Sequence, residues 1–221
     1  MGKQIVDIFL LEWKRELRNR NALYAVLMYV VVTLLIVLQS FSQLDNFFVY
    51  NALFWIILVF AALQSIAQLG SKESAGHRLF LYSLAHPVAV ILGKILFNTF
   101  FSVVIALITF LVYLLFFGSE PLENIHWGSY GTALVLGVIG FASIFSMVTI
   151  ITSKAQQNTG LSAVLGFPLI LPLVVSLIKV CVAASKGSGF DVTQSALLAI
   201  FAIIVINIVL SFLLFPYLWR E

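Results

Sequence analysis

The side chains best suited to recognition chemistry lie in one polar stretch, Gly70 to Lys94, which separates two apolar runs. Its apolar residues recur at about the period of an amphipathic helix, which predicts a helix over about residues 73–84. Glu73 near the helix N-terminus favours the helix dipole, and Gly76 would let another backbone approach closely. We therefore expect a protein to dock here, the alternative being a helix that simply lies among lipid headgroups. The residues expected to form the contact are Glu73, Ser74, Ala75, Gly76, His77 and Arg78.

Three further polar residues lie within or beside apolar runs. Asn207, near the middle of the last run, is expected either to hydrogen-bond a neighbouring helix or to contact a transported substrate. His126 is expected either to ligate haem iron or to be a solvated residue in an interfacial aromatic belt of Trp127 and Tyr130. Lys94 is expected to extend its ammonium group to the headgroups, the alternative being a role in a transport pathway.

The fifth apolar run contains two prolines, Pro168 and Pro172. Neither donates a backbone N–H, so the carbonyls of Val164 and Pro168 lose their helical partners. In lipid such carbonyls need another donor or a protein-lined cavity, which predicts a kinked or broken helix that faces other helices. The pattern leaves open whether such a break moves or is only structural.

Motifs for catalysis and nucleotide binding are absent from the sequence. There is no GxxxxGK[ST] loop, no HExxH pair and no GxSxG elbow, which argues against an enzyme and against direct ATP binding. Every acidic residue falls outside the apolar runs, whereas proton-coupled transporters usually bury an ionisable relay. The single cysteine, Cys181, excludes an internal disulfide and a cysteine-rich metal site.

The elements that position these residues are membrane spans. Of the 221 residues 62% are hydrophobic and 10% charged, whereas soluble domains average about 25% charged residues. Six apolar runs each reach the roughly 20 residues needed to cross a bilayer. They lie at about 22–40, 47–69, 88–117, 130–152, 159–181 and 196–216. We expect one all-α membrane domain over residues 1–221, in which residues 3–20 form an amphipathic helix in the membrane plane.

Positive charge predicts the orientation of these spans. Ten of the twelve Lys and Arg residues fall in the N-terminal segment, residues 70–94, the fourth loop and the C-terminus. The opposite side has only Lys179 and Lys186. The positive-inside rule therefore places both termini in the cytoplasm. The Gly/Ser-rich segment 183–195 is accordingly predicted to be an outer loop.

Taken together, the chain resembles the membrane subunits of ABC-2-type exporters and, more narrowly, the haem exporter protein B family of the cytochrome c maturation system. The resembling residues are Glu73, Gly76, Leu84, Pro87 and Lys94, together with the Pro168-Leu-Ile-Leu-Pro172 run. The similarity extends along nearly the whole chain in order and spacing. At His77 the chain departs from the family's usual acidic or apolar residue, which leaves the pairing surface open.

The resemblance implies a membrane subunit without a bound cofactor, located in a bacterial inner membrane. ATP would be hydrolysed in a separate ATP-binding cassette subunit contacted by residues 73–78, and two copies of this chain would form the membrane part. Haem is the implied cargo, and haem-handling membrane proteins and a periplasmic haem chaperone are implied partners. The chain lacks the tryptophan-rich haem-binding motif of those partners, which favours force transmission that releases the loaded chaperone over conduction of haem.

Other functions remain open from the residues alone. One alternative is an ABC-2-type exporter subunit for another lipid-like or drug substrate. A second is a membrane channel or carrier that works without an ATPase, which co-purification with an ATP-binding protein would distinguish. A third, an intramembrane enzyme, lacks a nucleophile–base pair in the sequence. None of these alternatives, nor the leading hypothesis, involves nucleic acid, because the basic residues lie where membrane topology accounts for them.

Overall fold

The computed structural model describes residues 2–19, 21–41, 46–71, 87–152 and 159–220. These residues form seven α-helices and one short 3₁₀ helix, Glu120–Leu122, with no strand in the described part of the chain. The α-helices are α1 (Gly2–Asn19), α2 (Asn21–Ser40), α3 (Phe47–Ser71), α4 (Pro87–Phe117), α5 (Trp127–Thr152), α6 (Thr159–Ser185) and α7 (Phe190–Arg220).

Six of these helices, α2 to α7, are long and apolar enough to cross a membrane, which confirms the predicted all-helical, six-span organisation. Many large apolar side chains point outward from them; Met28 is 65% exposed and Leu115 is 84% exposed. A water-soluble protein would not leave so much apolar surface open, whereas lipid solvates it.

The loop predicted over residues 183–195 is much shorter than expected. Helix α6 continues to Ser185 and α7 begins at Phe190. Ser188 N donates to Ala183 O at 3.1 Å and Gly187 N to Ala184 O at 3.0 Å, the paired bonds of a Schellman cap. Gly187 has a φ of 72°, a left-handed conformation that a side chain disfavours. This glycine lets the chain reverse within four residues.

Helix α5 is the centre of the bundle. Of its span Trp127–Val148, 72% is buried, against at most 44% in the other spans that the structure describes. It packs against α3, α4, α6 and α7. Small residues line it, and these let neighbouring helices approach closely, as is typical of helix packing in membranes. They are Gly137, Gly140, Ala142, Ser143 and Ser146.

Candidate functional site

A buried polar cluster lies at the end of the bundle where α3 and α5 begin and α4 and α6 end. The Tyr113 hydroxyl donates to the carbonyl of Tyr50 at 2.9 Å, and the Tyr50 hydroxyl donates to the carbonyl of Gly118 at 3.3 Å. The two tyrosine rings meet edge to face, with centroids 4.7 Å apart. These contacts fasten the first turn of α3 to the last turn of α4.

The same end of the bundle holds a second buried group. Trp55 Nε1 donates to Asn51 Oδ1 at 3.1 Å within α3, and the thiol of Cys181 in α6 lies against both side chains. The hydroxyl of Tyr130 is buried nearby and has no hydrogen-bond partner among the described residues. A buried hydroxyl without a hydrogen-bond partner destabilises the folded state, so this position is suited to an ordered water or a polar ligand group.

The predicted aromatic belt is half wrong. Trp127 is 54% exposed, as a belt residue should be, but Tyr130 is only 1% exposed and lies in the interior. The reason is the central place of α5, whose neighbours enclose it one turn after it begins. Asn51 and Trp55 are four residues apart on one face of α3, and this spacing is the sequence signal for the cluster.

Buried polar side chains also occur at a second level, deeper in the bundle. The Asn98 amide of α4 donates to Ser146 Oγ of α5 at 2.9 Å, which joins these two helices. The hydroxyls of Ser65 and Ser102 are buried and have no hydrogen-bond partner in the described ranges. At a helical rise of about 1.5 Å per residue, these groups lie roughly 22–29 Å from the end that carries the tyrosines.

Asn207 lies at this deeper level and is fully buried. Its amide nitrogen donates to Ile203 O of its own helix at 2.8 Å, and the described residues offer its Oδ1 no hydrogen bond. The predicted bond to a neighbouring helix is therefore not seen in the part of the chain that the structure describes. Both proposed roles of Asn207, interhelical contact and substrate contact, stay predictions.

His126 caps the central helix. Its Nδ1 accepts a hydrogen bond from the backbone N–H of Ser129 at 3.1 Å and lies 3.0 Å from Ser129 Oγ. The backbone N–H of His126 donates to Ala184 O at 2.9 Å, and the imidazole ring meets Phe190 edge to face. With Nδ1 as acceptor, the neutral ring carries its proton on Nε2 and has no free lone pair there. This arrangement favours a helix cap over an axial haem ligand.

Exchanging His126 for asparagine is expected to leave stability nearly unchanged, because an asparagine side chain also accepts the N–H at the start of a helix. His126→Leu is expected to lower the free energy of unfolding by about 1 kcal/mol, since that N–H loses its acceptor. Thermal unfolding in detergent, followed by circular dichroism, measures both. Equal stability of the leucine and wild-type chains would show that the cap contributes nothing.

Pro168 and Pro172 do not pack against other helices among the described residues of this chain, so the predicted contact with other helices is not seen within one copy. Helix α6 stays helical from Thr159 to Ser185, so it is not broken. Both prolines lie on its exposed side, together with Leu171 and Val175. The carbonyls of Val164 and Pro168, which lack helical donors, therefore belong to a helix whose proline-bearing side is not covered by the described residues of the same copy.

Helix α1 packs on the first half of α4. Ile8 lies over Gly93, where an added Cβ would come within 2.7 Å of Ile8 Cγ2. Phe9 contacts Phe97 and Phe100 edge to face, with ring centroids 6.1 Å and 5.7 Å apart. The row of apolar residues that contains Ile5, Phe9 and Trp13 therefore packs against protein.

Two acidic residues of α1 are also buried against the bundle. Glu12 is 3.5 Å from Arg15, its neighbour one turn along. Glu16 Oε1 accepts the backbone N–H of Leu23 in the first turn of α2 at 3.3 Å. This carboxylate links the end of α1 to the start of α2, because a negative group at a helix N-terminus satisfies an otherwise open donor. Lys94 is half-buried in α4, and its two predicted roles stay open.

The residues predicted to contact a partner ATPase, Glu73, Ser74, Ala75, Gly76, His77 and Arg78, lie outside the described residues, as does the whole predicted helix 73–84. No protein-family model, curated protein or solved structure matches this chain.

Proposed function

We propose that this chain is the membrane-spanning subunit of an ATP-driven exporter complex for cytochrome c maturation in a bacterial inner membrane. A separate ATP-binding cassette subunit hydrolyses ATP on the cytoplasmic side, where both termini of this chain lie. Two copies of the chain form the membrane part. They either export haem or transmit force that releases a haem-loaded periplasmic chaperone, alongside haem-handling membrane proteins.

The observation that carries this proposal is the connection of the polar segment to the centre of the bundle. Residues 72–86 lead directly into Pro87, the first residue of α4. Helix α1 packs on the first turns of α4, and the Asn98 amide of α4 donates a hydrogen bond to Ser146 Oγ of the central helix. A partner that pushes on the segment would thus act on α4, and through it on α5. This is the route that an exporter driven by a separate ATPase needs.

The exposed proline face of α6 supports the presence of a second copy. Lipid offers no donors to the carbonyls of Val164 and Pro168, whereas a neighbouring helix can cover them or supply donors. The face is also apolar, with Phe167, Leu171 and Val175 exposed along it. A twofold axis beside α6 would bury both copies of this surface, as is usual for symmetric dimers.

A cysteine at Leu171 or at Val175, one turn away, is expected to form a disulfide-linked dimer on mild oxidation in native membranes. Leu198→Cys, on an exposed face of α7, is the matched control and is expected to stay monomeric. The native Cys181 is buried and does not interfere. Non-reducing gel electrophoresis shows the products. A dimer from Leu198→Cys alone would place the twofold axis at α7 instead.

The proposed function is tested by capturing the tagged chain from native membranes and assaying ATP hydrolysis in the eluate. An ATP-binding cassette subunit is expected to be recovered with the chain, and deletion of either gene is expected to lower the yield of mature cytochrome c. A channel or carrier without an ATPase predicts no nucleotide hydrolysis in the eluate. Recovery of the ATPase with normal cytochrome c yield would instead indicate an exporter for another substrate.

A further inference from the structure

The side of α1 that faces away from the bundle carries two parallel rows. One row is apolar and exposed: Val6 is 55%, Leu10 44% and Leu17 47% exposed. The adjacent row is charged and exposed, and it consists of Lys3, Asp7, Lys14 and Arg18. At 100° per residue the apolar row lies between the face packed on α4 and the charged row. The helix thus has a protein side, an apolar side and a charged side.

We propose that this outer surface of α1, made of Val6, Leu10, Leu17, Lys14 and Arg18, binds anionic phospholipid at the cytoplasmic leaflet. The apolar row enters the boundary between headgroups and acyl chains, where a helix with one apolar and one cationic face is most stable. Lys14 and Arg18 stand one turn apart and pair with lipid phosphates. This inference does not depend on the proposed transport role.

Charge favours an anionic lipid over a neutral one. Asp7 offsets Lys3 one turn away, so the net positive charge of the row lies at Lys14 and Arg18, near the junction with α2. The Glu16 carboxylate already accepts the N–H of Leu23 at the start of α2. Its negative charge disfavours a lipid phosphate there, so the phosphate is expected at Lys14 and Arg18. Each cation beside an anionic surface strengthens binding about fivefold at low salt.

The experiment uses the full chain in lipid nanodiscs with a tryptophan reporter, Leu10→Trp. Trp13, Trp127 and Trp219 are changed to phenylalanine, whereas Trp55 stays because it is only 3% exposed and gives a constant background. Phosphatidylglycerol or phosphatidylcholine, brominated close to the headgroup, quenches a tryptophan that it touches. Competition between the two lipids gives their relative binding constant at position 10.

The reporter is expected to be quenched by both lipids, with a clear preference for phosphatidylglycerol. Lys14→Gln with Arg18→Gln is expected to reduce that preference about 25-fold at low salt, which follows from the fivefold effect of each cation. Lys179→Gln with Lys186→Gln, two exposed lysines elsewhere, is the matched control and should leave it unchanged. Absence of quenching, equal quenching by both lipids, or a preference that survives loss of Lys14 and Arg18 would overturn the proposal.

Discussion

Gly137→Ala is expected to destabilise the bundle by about 1–3 kcal/mol, the usual effect of adding a methyl group to a well-packed core. A Cβ at this position would lie 2.7 Å from Trp55 Cη2 and 2.9 Å from Leu177 Cδ2. Rotation of the Trp55 ring costs free energy, because its Nε1 is hydrogen-bonded to Asn51 and the ring packs near Phe141. The strain therefore falls on the contact between α3 and the central helix.

Gly131→Ala is the matched control for this prediction. It makes the same chemical change on the same helix, but nothing lies within 4 Å of the added Cβ. An alanine is favoured over a glycine inside a helix by up to about 1 kcal/mol, so this variant is expected to be neutral or slightly stabilised. Thermal unfolding of both variants in the same detergent gives the comparison. Similar midpoints would show that α3 and α5 are not packed as closely as described.

The six spans could be predicted from the sequence because lipid imposes a simple requirement. A run of about 20 apolar residues has to be helical, since every backbone donor and acceptor must be satisfied within the segment. Predicted and observed boundaries accordingly agree closely for the second span, 47–69 against Phe47–Ser71, and for the third. The predicted boundary was wrong where a local cap determines the end of a helix, as at Gly187 after α6, because cap geometry depends on single residues.

The interior could not be predicted in the same way. In a span that is apolar all round, periodicity does not show which face meets lipid and which meets protein. Tyr130 was therefore assigned to the wrong surroundings, and the two prolines of α6, predicted to face other helices, do not pack on a described helix of the same copy. Tyr130 proved buried because α5 is central, and the prolines proved exposed because α6 lies at the edge. The role of His126 as a cap depended on where α5 begins, which the sequence placed at 130 and the structure at Trp127.

Reversing the charge at Glu73 and filling the small position at Gly76, in the predicted helix over residues 73–84, is expected to abolish binding of the proposed partner ATPase. In Glu73→Arg with Gly76→Trp, the acid proposed to lie at the interface becomes basic, and a bulky ring blocks close backbone approach. Loss of a buried interfacial charge partner typically costs about 2–5 kcal/mol, which is about 30-fold or more in affinity. Glu123→Arg, an exposed acid beyond the 3₁₀ helix, is the control for charge reversal alone.

The docking role is tested most directly by recovery of the proposed ATP-binding subunit with this double variant, measured by pull-down from detergent extracts at matched expression. The double variant is expected to insert at normal levels but no longer to recover the ATPase, whereas Glu123→Arg is expected to recover it fully. Undiminished recovery with the double variant would contradict a docking role for residues 73–84. It would mean that this segment lies at the membrane surface and that any coupling contact is elsewhere, at α1 or around Lys154.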